Sequence, residues 1–501
     1  MRKKKLALLL TFIGLLFIFM AAIITYRQFQ QFKQLPCNFP SNFEIGSIPV
    51  AGISPGKAQQ RLKETYEMPV ILQIGQSIIQ VSTENAGISF AWEDMFQPAL
   101  KICLENHDFS FFWDYLWHHE VVEFPQINVL VDFDRAKLSN FIDQELEPRY
   151  QSPATPAYPL LGTTQYATGA AGTSLNTEGL IDKIYAAFQS PDKRQIIVET
   201  QPLPAEPPSL EQIEYLLKAN IREFEFPGIV EIYMQDLGNQ HTSQLALLNG
   251  EGVEPGIAYT AASTMKIPIM VSTLWREDLP LDENVSGWLN YMIVLSENAP
   301  ADRLMERIDP ISGPLIVTSD MQALGMKDSF ISGFFYLGAP LLSLNTTSAN
   351  SRADINTNPD MYNQTTAADI GGLLAGIYEC AEKGQGILVQ KSEGKITSEK
   401  CQLMIDILAR NKIGALVEAG LPEGTRIAHK HGWSEEDDGL LHTVSDAVIA
   451  FGPEKDFVFT IFVYSPQQLL FEDANYLIAR LAQTAFNGLN PDHQIAWRFT
   501  R

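Results

Sequence analysis

The longest apolar run in the chain comes first. Leu6 to Tyr26 carries no charge and follows Arg2, Lys3, Lys4 and Lys5. A helix needs about 20 apolar residues to cross the hydrocarbon core of a bilayer, and this run supplies them. It is long for the apolar region of a signal peptide, and no clear small-residue cleavage site follows it. Positive charge ahead of the run predicts the N-terminus inside and the rest of the chain outside. The expectation is a single-pass cell-membrane anchor over residues 1–36, with the bulk of the chain extracytoplasmic. A cleaved signal peptide is the alternative, and it puts the chain on the same side. No second apolar run of comparable length follows.

Shorter periods organise the remainder. Ser54-Pro55 reads as a helix start, and Ala58, Leu62 and Tyr66 form that helix's apolar stripe. Pro69 ends it. Val70 to Ile74 and Ile78 to Val81 then read as a hairpin turning at Gly75-Gln76. Helical spacing returns over Arg135 to Leu146 and Thr177 to Phe188, and a strand is expected over Gln195 to Val198. These elements make a small α+β domain over residues 37–201.

Pro202, Pro204, Pro207 and Pro208 interrupt the pattern, so residues 202–209 read as a stiff linker. Ser209 and Gln212 then form a capping-box pattern, with Leu210, Ile213, Leu216 and Leu217 at helical spacing. Gly228 to Leu237 and Gln244 to Leu248 alternate as antiparallel strands. Mostly helical segments follow, from about Ser263 to about Ala381. Thr443 to Phe451 and Phe457 to Tyr464 make a last strand pair, and a helix over Asp473 to Phe486 closes the chain. Strands at both ends with helices between predict an α+β domain over 210–501, one antiparallel sheet packed against helices.

Composition changes this picture little. At 501 residues the chain is too long for one hydrophobic core. Its net charge of −23 argues against nucleic acid as a partner, which calls for a basic stripe; solubility is the simplest reading of the charge. The cysteines Cys37, Cys103, Cys380 and Cys401 fit no zinc spacing. An oxidising compartment permits Cys37–Cys103 and Cys380–Cys401 pairs, with free buried thiols the alternative. The pairs His118/His119 and His429/His431 lack supporting ligands at metal-binding spacing, so neither metal nor cofactor is implied.

The candidate chemistry starts at Ser263-Thr264-Met265-Lys266. Residues three apart on a helix share a face, so Lys266 can lie beside the Ser263 hydroxyl at a helix start. A serine is a weak nucleophile that needs a base, and a lysine serves when burial lowers its pKa. The spacing alone is cheap, since Ser54/Lys57, Ser190/Lys193 and Ser392/Lys395 share it. The company of Ser263 singles it out. Downstream stand Ser296-Glu297-Asn298, a hydroxyl to relay a proton and an amide to hold the lysine or a substrate carbonyl. Later comes Lys430-His431-Gly432-Trp433. Lys430 would bind a substrate carboxylate, and Gly432 would admit substrate to the strand backbone. The N–H groups of Ser263 and Trp433 would form an oxyanion hole.

These three elements, in this order, resemble the S-x-x-K, S-D-N and K-T-G motifs of class A β-lactamases and penicillin-binding proteins. The resemblance covers roughly Ser209 to the end. It implies a hydrolase with Ser263, Lys266 and Ser296 as catalytic residues. Asn298, Lys430, His431, Gly432 and Trp433 then bind substrate, a β-lactam or a peptidoglycan stem peptide. The stretch Ile48 to Ala58, followed by Leu62, with Gly169 to Phe188 and Gln195 to Pro204, resembles peptidoglycan-binding domains of bacterial surface proteins. It implies a cell-wall partner, and a spacer lifting the second domain off the membrane is the alternative.

The chain departs from the class A pattern in three ways. His431 replaces the hydroxyl residue of the third motif. Its imidazole can still donate a hydrogen bond to a carboxylate, though its size and titration differ. Glu297 replaces an aspartate and keeps the charge. The deacylating glutamate is missing: Arg307 to Tyr378 holds no glutamate, and the loop near Ser343 to Asn363 offers Asp354 and Asp360 alone as carboxylates. Acylation therefore has its residues while release lacks an obvious base. A catalytically impaired penicillin-binding or wall-binding module is the competing reading.

Overall fold

The computed structural model describes residues 2–39, 42–105, 109–117, 126–436 and 438–498. His118 and His119 lie outside the described residues. The chain divides into two compact units, Met1–Ala154 with Ala171–Pro204, and Thr155–Ala170 with Ala205–Arg501.

The first unit opens on a continuous helix, Arg2–Phe32, with no buried residue. Its length and apolar composition suffice to cross a membrane. The helix Pro55–Tyr66 buries Ala58, Leu62 and Tyr66, the stripe its spacing predicts. They pack with Phe39, Ile45, Trp92 and Phe96. Val70–Ile74 and Ser77–Val81 form the hairpin, and Gln195–Val198 joins its first strand in parallel. Gly75 makes the turn at φ 56°. Cys37 and Cys103 are disulfide-bonded.

The proline-rich stretch starts inside a strand rather than in a linker. Thr200–Leu203, which contains Pro202, pairs antiparallel with Gly172–Leu175. A two-stranded ribbon leaves one edge of each strand unpaired, and such an edge tolerates a residue without an N–H.

The second unit is built on a six-stranded antiparallel sheet. Its order is Glu251–Val253, Thr242–Leu248, Ile229–Asp236, Phe457–Tyr464, Leu441–Phe451 and Arg426–Glu435. All eight residues of Phe457–Tyr464 are buried, because both faces are covered at the centre of the sheet. The helices Leu210–Phe224 and Phe471–Leu489 pack on one face. The helices between Lys266 and Leu408 pack on the other. Both halves of the Ser209/Gln212 capping box are formed. The hairpin of Tyr158–Pro159 and Tyr166–Ala167 belongs to this unit, beyond the expected start at 210. Tyr166 is buried in the second unit's core, and Asn220 Nδ2 donates to Thr163 O at 3.1 Å.

Cys380 and Cys401 are also bonded, across a sequence separation of 21. They join the helices Ala367–Lys383 and Ser398–Leu408, with both sulfurs buried. Closing a loop of this length restricts the unfolded chain by about 3 kcal/mol. Replacing both cysteines with alanine should therefore lower the unfolding free energy of the second unit by about 2–4 kcal/mol in denaturant titrations. An unchanged midpoint would show that the bridge does not stabilise the fold.

Candidate active site

Tyr259–Thr260 pairs with Asn363–Thr365, and the chain then bends through Ala262 at φ 44°. A 3-10 turn, Ala262–Met265, follows and runs into the helix Lys266–Arg276. The expected helix start at Ser263 is thus a tighter turn. With three residues per turn, positions i and i+3 eclipse. Lys266 Nζ accordingly lies 2.8 Å from Ser263 Oγ. Thr264 pins the turn by donating its hydroxyl to Ala261 O at 2.6 Å.

The second motif joins two helices, Glu283–Val294 and Asn298–Ile308. Ser296 sits at φ 59°, a left-handed conformation that strains a residue with a side chain by about 1–3 kcal/mol. That bend aims two of its groups at the lysine. Ser296 O accepts from Lys266 Nζ at 2.7 Å, and Asn298 Oδ1 accepts from it at 2.8 Å. Ser296 Oγ donates to Ser263 Oγ at 3.0 Å and stands 3.5 Å from Lys266 Nζ. Lys266 is 0% exposed. Burial brings its pKa down to about 8, against the opposing pull of Asp302 and Glu297. Roughly one molecule in ten then holds a neutral Lys266 at pH 7.

The third motif lies on Arg426–Glu435, the edge strand of the sheet. Strand alternation puts Lys430 and Gly432 on one face and His429, His431 and Trp433 on the other. Lys430 is fully buried, and its Nζ donates to His431 O at 3.1 Å. Burial lowers its pKa to about 7, with Lys266 adding to the fall and Asp446 opposing it.

Gly432 abuts the serine turn. A Cβ there would stand 2.9 Å from Ala261 O, 2.9 Å from Ser445 Oγ and 3.1 Å from Thr264 Cγ2. The missing side chain lets strand and turn meet. His431 turns to the opposite face from Lys430. Its ring stacks on Trp433 with centroids 4.4 Å apart, and its Nδ1 lies 3.3 Å from Asn411 Nδ2. Burial, then the Lys430 charge, push its pKa down to about 2, so the imidazole is neutral. The ring thus braces Trp433 from the face opposite Lys430.

The free edge of the strand can be identified. His429 O accepts from Asn411 Nδ2, and His431 O accepts from Lys430 Nζ, both at 3.1 Å. In an antiparallel strand the N–H and C=O of one residue point the same way, and every second residue repeats the direction. The Trp433 N–H therefore points off the same edge.

Two neighbours of the lysine escape sequence reasoning. The Phe335 ring centre lies 5.6 Å from Lys266 Nζ. The Phe335 N–H donates to Asp302 Oδ1 at 2.7 Å. Asp302 stands one helical turn after Asn298, a spacing that could have flagged it. Phe335 lies in an irregular stretch with no motif around it. Asp354 is ion-paired with Arg352 at 2.5 Å. Asp360 accepts from the Tyr362 N–H and from Asn363 Nδ2, each at 2.9 Å. Among the described residues no carboxylate is hydrogen-bonded to Ser263 or Lys266, and no group of three or more His, Cys, Asp or Glu is placed to hold a metal.

Residues 274–489 match the model of the beta-lactamase enzyme family. The match begins after Ser263 and Lys266 and includes Ser296, Asn298 and the third motif. No curated protein sequence matches the chain. Among solved structures, PBP-A is 19% identical with a TM-score of 0.38, over 54% of this chain and 94% of its own. A beta-lactamase from Chitinophaga pinensis DSM 2588 is 17% identical with a TM-score of 0.40, over 56% of this chain and 98% of its own. A class A beta-lactamase representative from Bacteroides cellulosilyticus DSM 14838 gives the same identity, TM-score and coverage. Over residues 274–489 the chain is thus similar to the beta-lactamase enzyme family.

Proposed function

We propose that the second unit is an acyl-transfer serine hydrolase that attacks a β-lactam or a peptidoglycan stem peptide through Ser263. The observation that carries this is the contact set of one buried lysine, with Lys266 Nζ 2.8 Å from Ser263 Oγ and Ser296 Oγ 3.0 Å from the same oxygen. Neutral Lys266 takes the Ser263 proton as Oγ bonds to the carbonyl carbon. The developing oxyanion is held by the Ser263 and Trp433 N–H groups. The proton passes from Lys266 through Ser296 to the leaving nitrogen, the C–N bond breaks, and an ester on Ser263 remains. Lys430 supplies positive potential for a substrate carboxylate, Asn298 fixes Lys266, and His431 steadies Trp433 at the strand edge.

The Arg2–Phe32 helix anchors the protein in the cell membrane, with the catalytic unit outside. The first unit contacts the cell wall or holds the catalytic unit at a distance from the bilayer. A second reading, penicillin binding with little turnover, is favoured by the absence of a carboxylate hydrogen-bonded to the serine–lysine pair among the described residues.

The mechanism fixes a pH dependence. Acylation needs Lys266 neutral, so below about 8 it falls with the neutral fraction, roughly tenfold per pH unit. It also needs Lys430 charged, and that charge is lost as pH rises through about 7. The rate of labelling by a fluorescent penicillin should peak between about pH 7 and 8 and decline on both sides. A flat profile from about pH 6 to 9 would remove Lys266 from the role of base.

A further inference from the structure

The first unit carries an exposed aromatic cluster at the foot of the Arg2–Phe32 helix. The short helix Phe109–Leu116 packs against that helix through edge-on and tilted ring contacts. Phe29 lies 5.6 Å from Phe109 and 5.1 Å from Phe112, and Phe32 lies 5.6 Å from Phe112 and 5.1 Å from Tyr115. The Cys37–Cys103 bond also ties the segment after the first helix to the helix Trp92–Glu105. What the short helix leaves uncovered is large and apolar: Phe109 is 59% exposed, Trp113 51%, Tyr115 46% and Trp117 64%. Trp113 and Trp117, one turn apart, form an edge-to-face pair with centroids 6.3 Å apart. Asp114 is the single charged residue between Phe109 and Trp117.

The height of this cluster is set by the first helix. Its uncharged run ends at Tyr26, and Phe29 and Phe32 follow within two turns. At about 1.5 Å per residue the two rings stand about 4.5–9 Å past the end of the run. The polar layer of a leaflet is about 5–7 Å deep. Arg27 and Lys33 are exposed on the same stretch, where lipid phosphates would meet them. Tryptophan and tyrosine favour this layer, because their rings are apolar and their N–H and O–H groups reach water.

We propose that Phe109, Trp113, Tyr115 and Trp117 form a second membrane contact, seated in the interfacial layer of the leaflet on the catalytic side. This rests on the reading that Arg2–Phe32 spans the bilayer. The contact holds the first unit down on the lipid surface, where the span alone would leave it free to tilt.

The full chain, reconstituted in phosphatidylcholine–phosphatidylglycerol nanodiscs, allows a direct test. All four native cysteines are paired, so single nitroxide labels can be placed at F17C, W113C, W117C and the exposed Tyr215→Cys. Power saturation then compares collisions with oxygen and with a water-soluble nickel chelate. Labels at 113 and 117 should show an oxygen-to-nickel ratio several-fold above that at 215 and below that at 17. If 113 and 117 match 215 while 17 is deep, the interfacial contact is wrong and the spanning helix stands. If 17 also matches 215, the span itself has failed and the proposal falls with it. The unsubstituted chain gives a check free of folding defects. Lipids brominated next to the headgroup should quench part of its tryptophan fluorescence, and no quenching would overturn the contact.

Discussion

Ser263→Ala should abolish the covalent penicillin adduct while the protein stays folded. The substitution removes Oγ, the atom placed to bond with the carbonyl carbon, and no neighbouring group replaces it. Labelling should fall at least about 10³-fold, since residues acting as one unit lose nearly everything when the nucleophile goes. Stability should fall by no more than about 1–2 kcal/mol. Lys266 keeps Ser296 O and Asn298 Oδ1 as acceptors, at 2.7 and 2.8 Å. Losing one of its hydrogen bonds is worth about 1–2 kcal/mol. Lys266→Met should slow acylation about 10²–10⁴-fold with Ser263 still present. Gel fluorescence and intact-protein mass measure both, with thermal unfolding as the control for folding. A folded Ser263→Ala protein that still takes up label would defeat the mechanism.

The adduct formed by the native protein should persist. Hydrolysing the ester needs a base that activates water beside Ser263. Around Lys266 the structure offers a hydroxyl, a carbonyl, an amide oxygen and the Phe335 ring. Asp302, whose charge acts on Lys266 together with that of Glu297, is engaged by the Phe335 N–H. Asp354 and Asp360 are held by Arg352, Tyr362 and Asn363. Without a placed base, the general-base contribution of about 10²–10⁴ is missing from release. After a chase with unlabelled penicillin, mass spectrometry should find acylated protein lasting many minutes. Loss of the adduct within seconds would mean that a water-activating group is present after all, and the protein would then be a turning-over β-lactamase.

Much of this was legible in the chain, for reasons that differ by residue. Ala58, Leu62 and Tyr66 reported their helix because apolar spacing is a local property, and so did the Ser209/Gln212 cap. The three motifs were legible as an ordered set, and the structure brings Ser263, Lys266, Ser296 and Asn298 into one contact group. Arg426–Glu435 was recognised merely as strand-like, because its centre reads His-Lys-His and a buried polar strand breaks the apolar pattern. Residues 158–167 were counted with the first domain as no more than intervening chain, since their partners lie far along the chain in Asn220 and the closing helix. Phe335 and Asp302 come together by packing, which no spacing records. His431 was read from its place in a motif, yet strand alternation turns its ring toward Trp433.

The order of the central sheet has a consequence for biogenesis. Ile229–Asp236, near the start of the second unit, lies directly against Phe457–Tyr464, near its end. Leu441–Phe451 and then the Lys430 strand hang on that late strand. Synthesis from the N-terminus delivers Ser263 and Ser296 first, before the strands they pack against. The sheet cannot close until its last strand has emerged, and pairings this distant in sequence form slowly. The serine–lysine pair therefore assembles late, and a chain truncated before Phe457 would carry Ser263, Lys266, Ser296 and Lys430 without the closed sheet that holds them.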